Sequence, residues 1–395
     1  MFAAINFYQA GAGVTVPGAP TIGTATATTS TAATVTYTAP ASNGGSTITL
    51  YTATSSPGGI TGTLATAGSG TITVSGLTSG TSYTFTVKAT NAIGQGAASA
   101  ASNSITPVAP AAPGSQSYTS AGTYSWVAPA GVFKVSTVVV GTGGNGGASL
   151  YYLSNCCTVG NYYSGGGGGG GGLAYTNNYS VSPGTSYTVQ VSAVGSGGAN
   201  YFVSSGTLYV LGGTDGGTVT GGNGGIPGGT IMTAGYSGGA GGSGGYAVCS
   251  NSYGGGGGAG AAGYSGVGGA GGNGGLYQSP RNGSNGSGGS AGGGASGFDG
   301  FGNSQYGAGG GGVDILGQGS NGSGGTYPNG GTGGSGGASG VAVATSTGGL
   351  YGGGGGGAKP QGGTSVCGKA GALGAVRIVW QGCSRSFPST CVGSP

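Results

Sequence analysis

The chain has 395 residues, 110 of them Gly, and only 3% are charged: 7 Lys plus Arg, 3 Asp plus Glu and no His, for a net charge of +4. Without His it lacks the commonest general base and metal ligand, and three widely separated acids, Asp215, Asp299 and Asp314, form no acid–base pair. These counts argue for a non-enzymatic protein with no metal or other cofactor, and seven dispersed cations offer no basic face to nucleic acid.

The opening Met1-Phe-Ala-Ala-Ile-Asn-Phe-Tyr has neither a basic leader nor a sustained apolar stretch, so no signal peptide is expected. No window approaches the roughly 18–20 apolar residues of a membrane span, and no membrane insertion is expected. Residues 1–16 read as an attachment segment that docks to a partner.

Residues 17–107 read as short strands. Ala33-Thr-Val-Thr-Tyr37, Thr47-Ile-Thr-Leu-Tyr51, Thr71-Ile-Thr-Val74 and Tyr83-Thr-Phe-Thr-Val87 alternate apolar residues with Thr, the period of a strand with one buried face. Turn-forming stretches such as Ser56-Pro-Gly-Gly59 separate them, which predicts an antiparallel sandwich. Gly76-Leu77-Thr-Ser-Gly80, the Tyr83–Val87 strand, Ala89-Thr-Asn91, Gly94, Gly96 and Ser99 resemble the second half of a bacterial fibronectin type III domain. Pro17-Gly-Ala-Pro20 and Tyr37-Thr-Ala-Pro40 are similar to its opening and second strand, with Tyr37 where the family usually has Trp. The resemblance implies that Tyr83 is a corner tyrosine tying a loop to the backbone. Its loops hold Ser, Gly and Ala with no aromatic or Arg anchors, so the domain reads as a spacer.

Closely spaced Pro residues mark residues 108–116 as a linker, and a Gly-rich domain is expected over 117–395. Strands are expected at 116–126, 132–140, 173–175, 186–191 and 374–380, forming a sheet framework from which Gly-rich segments loop out. The fold class is thus all-β: a sandwich followed by a β-sheet framework carrying polyglycine II-like helices or loops. Gly-Gly-x triplets occur at Gly221–Ile226, Gly238–Tyr246, Gly268–Leu276 and Gly330–Ala338. In polyproline II geometry, with three residues per turn, every x falls on one edge and two edges stay bare. Ordering each residue costs about 1–2 kcal/mol, and a net hydrogen bond returns about 0.5–1.5 kcal/mol. A bundle therefore requires bonds on several sides, with apolar x residues such as Ile226, Tyr246 and Leu276 buried. The competing reading is a set of flexible linkers, with the pure runs Gly165–Gly172 and Gly352–Gly357 the most mobile. Of 23 Tyr only Tyr8, Tyr37, Tyr51 and Tyr83 precede Pro113, and that density of aromatics favours an ordered domain.

Tyr precedes the poly-Gly runs at Tyr162, Tyr163, Tyr253 and Tyr351, which makes these four the candidate receptor contacts; the alternative is that they pack the Gly segments internally. Six Cys all follow Pro113, and Cys383 and Cys391 flank a short loop that a disulfide can close. Gly241-Gly-Ser-Gly-Gly245 matches a nucleophile elbow, but no His is present to serve as base.

The order of parts, Ser117-Tyr-Thr-Ser-Ala-Gly-Thr-Tyr-Ser-Trp126, Val138-Val-Val140, a Gly run, Leu173-Ala-Tyr175, Tyr187-Thr-Val189, more Gly and Gly374-Ala-Val-Arg-Ile-Val-Trp380, resembles the glycine-rich domains of tailed-bacteriophage structural proteins. This resemblance implies a virion surface protein, a tail-fibre or capsid-appendage adhesin. Its expected partners are other virion proteins through residues 1–16, a host surface glycan or protein, and further copies of itself. A bacterial cell-surface adhesin or matrix protein is the alternative; the x residues are too irregular for ice binding.

Overall fold

A computed structural model describes residues 13–109, 111–152, 161–247, 255–274, 283–287, 290–294, 307–316, 321–324, 348–358, 365–380 and 387. The described residues are all-β, without helices, and the chain divides into two compact units: Met1–Ala111 with Pro129–Phe133, and Ala112–Ala128 with Lys134–Pro395.

The first unit holds β1 (Thr21–Ala27), β2 (Ala32–Thr38), β3 (Leu50–Ser56), β4 (Thr61–Leu64), β5 (Gly70–Ser75) and β6 (Thr84–Thr90). They form two antiparallel sheets, β1-β2-β5 and β4-β3-β6. Alternation drives the sandwich: Val35, Ile72 and Val74 from one sheet meet Tyr51, Phe85 and Val87 from the other, all buried in one core. Tyr37 fills its core position by packing on Tyr51, with ring centroids 4.3 Å apart, and its hydroxyl donates to the Gly68 carbonyl at 3.2 Å. Tyr83 is buried, and its hydroxyl accepts the Thr78 N–H at 3.1 Å, as the corner role requires. The described part of the first 16 residues is tied down: Thr15 donates to Gly44 and accepts from the Asn91 side chain.

The second unit begins with β7 (Gly114–Tyr118), β8 (Gly122–Val127) and β9 (Lys134–Val140), so a strand starts inside the expected linker. β12 (Leu173–Ser180), β13 (Ser186–Val191), β14 (Ala199–Phe202), β15 (Leu208–Leu211), β16 (Pro227–Gly228), β17 (Ala234–Tyr236) and β19 (Ala375–Trp380) complete two five-stranded sheets, β17-β12-β9-β19-β7 and β16-β15-β14-β13-β8. β10 (Leu150–Tyr152), β11 (Asn161–Tyr163) and β18 (Tyr246–Ala247) form a separate small sheet. Trp126 of β8 packs on Phe202 and, across the sandwich, on Trp380 of β19 at 5.9 Å. Val138, Val140, Ala375 and Val379 face the other way, into a core with Ala261, Ala262, Tyr264, Val313 and Ile315 from the glycine-rich segments. β9 and β19 are therefore covered on both faces, which is why Val138-Val-Val140 is unbroken.

The glycine-rich segments do not loop out; they pack side by side through backbone bonds with a three-residue period. Gly165, Gly168 and Gly171 donate to Ala358, Gly355 and Gly352; Gly166 and Gly169 donate to Gly217 and Thr214; Gly167 and Gly170 donate to Gly242 and Gly239. The carbonyls of Gly166, Gly169 and Gly172 accept from Gly147, Gly144 and Gly141; those of Gly167 and Gly170 from Gly222 and Gly225; and those of Gly165, Gly168 and Gly171 from Gly256, Ala259 and Ala262. The run thus has six neighbours, whereas a β-strand has two. Residues 256–262 behave alike: they donate to the runs containing Gly168, Gly269 and Gly311, and accept from those containing Gly239, Ala291 and Gly354.

Glycine is compulsory along the central run, residues 165–171. A Cβ on any residue from Gly165 to Gly171 would meet a neighbour's carbonyl oxygen well inside 3.0 Å, closer than real Cβ atoms come. Those oxygens lie along the missing Cα–Cβ direction, the arrangement of a Cα–H···O contact worth about 0.5–1 kcal/mol each. Residues 164–172, 255–263 and 352–358 are all buried, so the pure runs expected to be most mobile form the bundle's interior.

The triplets form its rim, and here the expectation about x fails. Thr220, Asn223 and Ile226, then Ala240, Ser243 and Tyr246, then Val267, Ala270 and Asn273 are exposed, with Ile226 at 58% and Tyr246 at 43%. Leu276 and the Gly330–Ala338 triplets lie outside the described residues. The reason is geometric: a rim run has neighbours on only two of its three edges, and only the third has room for a side chain. That edge carries N–H groups no backbone carbonyl reaches, and polar side chains of adjacent runs take several of them. Asn223 N–H donates to Thr214 Oγ1 at 2.8 Å, Ser243 N–H to Asn273 Oδ1 at 2.9 Å and Ala270 N–H to Ser284 Oγ at 2.7 Å.

Candidate functional site

Because runs cross the bundle end to end, each Tyr is assigned to one end by its neighbours. Residues 165–172 start at β11 and finish at β12, so β10, β11 and β18 stand at the end remote from the five-stranded sheets. Their register pairs Leu150 with Tyr163 and Tyr163 with Tyr246, which puts Leu150, Tyr152, Tyr163 and Tyr246 on one face.

On that face the Tyr163 and Tyr246 rings stack at 4.6 Å with 29° between their planes, and Tyr152 meets Tyr163 edge-on at 6.2 Å and 84°. Tyr152 is 58% exposed and Tyr246 43% exposed, while Tyr163 between them is half-buried. The neighbouring Tyr246 hydroxyl raises the Tyr163 hydroxyl above its usual pKa, with burial adding to the effect, so the Tyr163 phenol is neutral at physiological pH. No charged residue occurs in β10, β11 or β18.

The four sequence candidates separate. Tyr163 lies in this cluster. Tyr162 is next to it in β11, in register with Tyr151 and Ala247. Tyr253 lies outside the described residues, as do Cys383 and Cys391; Cys367 is exposed with a free thiol. Tyr351 is at the opposite end, because residues 352–358 run antiparallel to 165–172 and Gly352 sits beside Gly171. There it exchanges two backbone bonds with Val313 and packs on the sheet core, a case of the internal role left open in the sequence. Tyr152 and Tyr246 were missed; Tyr246 closes a triplet, and only its exposure separates it from a packing residue.

The sheet end holds the other notable polar group. Arg377 is 2% exposed on the bundle-facing side of β19 and donates to the Ile315 carbonyl and to Ser115 Oγ, both at 3.2 Å. Burial raises the Asp314 carboxyl, and the Arg377 charge partly opposes that rise; burial, then the Asp314 charge, raises the Tyr351 hydroxyl. This cluster is enclosed in protein and joins the sheet to the bundle. Among the described residues no group of three or more His, Cys, Asp or Glu could hold a metal, and no helix is long and apolar enough to cross a membrane.

No curated protein matches the chain significantly. Among solved structures, it is similar to titin kinase with its flanking domains at 18% identity, covering 45% of this chain and 30% of that one, with a TM-score of 0.20. It is also similar to the FN1–FN3 domains of chicken CNTN1 at 15% identity, covering 50% of this chain and 75% of that one, with a TM-score of 0.22. The chain thus spans under a third of the titin structure's length. A domain family matches residues 18–105, which coincide with the two-sheet sandwich and its Tyr83 corner: this part of the chain is a fibronectin type III domain.

Proposed function

We propose that the chain is a non-enzymatic surface adhesin of a tailed-phage virion, a tail-fibre or capsid-appendage protein. The fibronectin type III domain acts as the spacer, residues 1–16 engage other virion proteins, and the glycine-rich unit carries the host-binding end. The glycine runs are read as polyglycine II helices, in keeping with their three-residue bond period. The observation that carries the reading is the exposed Tyr152–Tyr163–Tyr246 cluster at the end of the bundle remote from the sheets. Rigid amphipathic rings give contact area at low entropic cost, and a scaffold of backbone-bonded glycine runs holds them. Copies displayed together would add effective concentration to weak single contacts.

Cryo-electron microscopy of particles carrying a labelled copy tests the assignment. Density at a tail fibre or capsid appendage is the expected result. Label confined to a cell envelope would overturn it in favour of a cellular adhesin.

A further inference from the structure

We infer that the face formed by Tyr152, Tyr163 and Tyr246 is a saccharide-binding site for uncharged sugar rings, an inference that rests on the adhesin reading for its biological setting. Two of the three phenol rings are about half exposed on a short sheet whose strands carry no ionisable group other than Tyr. An acidic glycan, a phosphate or a basic peptide would find no counter-charge on these strands. Leu150 is the one aliphatic residue among the described residues of the face, too little to seat the side-chain anchors of a peptide or a lipid chain. What remains matches a pyranose. Its C–H face stacks on an aromatic ring, and its hydroxyls exchange hydrogen bonds with phenols at the ring edges. The near-perpendicular Tyr152 and Tyr163 rings, with centroids 6.2 Å apart, form a corner in which one ring supplies a stacking floor and the other a side wall. The stacking of Tyr163 on Tyr246 fixes the orientation of that wall without an enclosing pocket.

The test uses the full-length protein on immobilised neutral hexose and N-acetylhexosamine oligosaccharides, with sialylated and sulfated oligosaccharides as the charged comparison. Binding to at least one neutral saccharide is expected, unchanged within about twofold between low and high salt because no ion pair is involved. Tyr152→Ala and Tyr246→Ala should each weaken it at least tenfold, while Tyr246→Phe, which keeps the stacking face, should stay within about threefold. Thermal unfolding unchanged from the parent shows that the variants fold; Tyr246→Phe is the milder variant should Tyr246→Ala not. Capture of charged saccharides alone, or neutral binding unaffected by both alanine variants, would overturn the inference. Neither result bears on where the protein resides, and envelope localisation would remove the virion reading while leaving the sugar site standing.

Discussion

The residue Gly168 shows how tightly composition is tied to position. Its N–H donates to Gly355, its carbonyl accepts from Ala259, and the space a Cβ would take is held by the Gly144 oxygen. Gly168→Ala must push one backbone away and strain two bonds, so we expect a loss of about 1–3 kcal/mol or more in denaturant unfolding. Ser243→Ala, on the exposed edge of a triplet, should change stability by less than about 0.5 kcal/mol. In the sandwich, Tyr83→Phe removes the acceptor of the Thr78 N–H and should cost about 1 kcal/mol. Tyr37 gives a pH signature. Burial, and to a lesser degree the neighbouring Tyr51, push its hydroxyl from 10.0 up to about 12. Its folded pKa is raised, so its contribution is fully present below pH 10 and declines as pH rises toward 12. Unfolding measured across that window should show a fall that Tyr37→Phe flattens.

At the scale of elements, legibility in the sequence followed side-chain alternation. β2, β5 and β6 announce themselves through apolar residues spaced by Thr, whereas the alternation expected over 47–51 meets β3 only at Leu50 and Tyr51. β1 and β4 do not, because Gly23 and Gly62 interrupt them where a side chain would strike Thr36 of the paired strand β2 or Thr73 of β5 in the other sheet. β14 and β15 are short apolar stretches amid glycine, and their pairing comes from a fold that no local window contains. The triplets revealed a threefold period, yet not which way x points. Periodicity gives phase, and only the neighbours tell which phase faces water. The same neighbours explain Asn273 at x: its side chain serves an N–H group that the backbone bonds leave over. Asn273→Ala should therefore expose the Ser243 N–H, raising its amide exchange about fivefold for a lost bond of about 1 kcal/mol.

At the scale of the molecule, the glycine count alone suggests an unstructured chain, and the bond pattern describes a folded one. Hydrogen exchange separates the two: amides from Gly165 to Gly171 should be protected as strongly as those of β9, and rapid uniform exchange there would contradict the packing. The site was half legible. Tyr163 followed from its place before a glycine run, but Tyr351 occupies the same sequence position and lands at the opposite end. Run direction is set by topology, which sequence adjacency does not encode. The threefold period also constrains how such a chain can change over evolution. Inserting or deleting one residue in residues 165–172 would turn every later position to a different neighbour and misalign all six sides at once. Adding or removing three would preserve phase, lengthening or shortening the run by roughly 9 Å. Length variation among descendants of this chain should therefore be confined to multiples of three within the runs and be free of that rule where the chain turns between them.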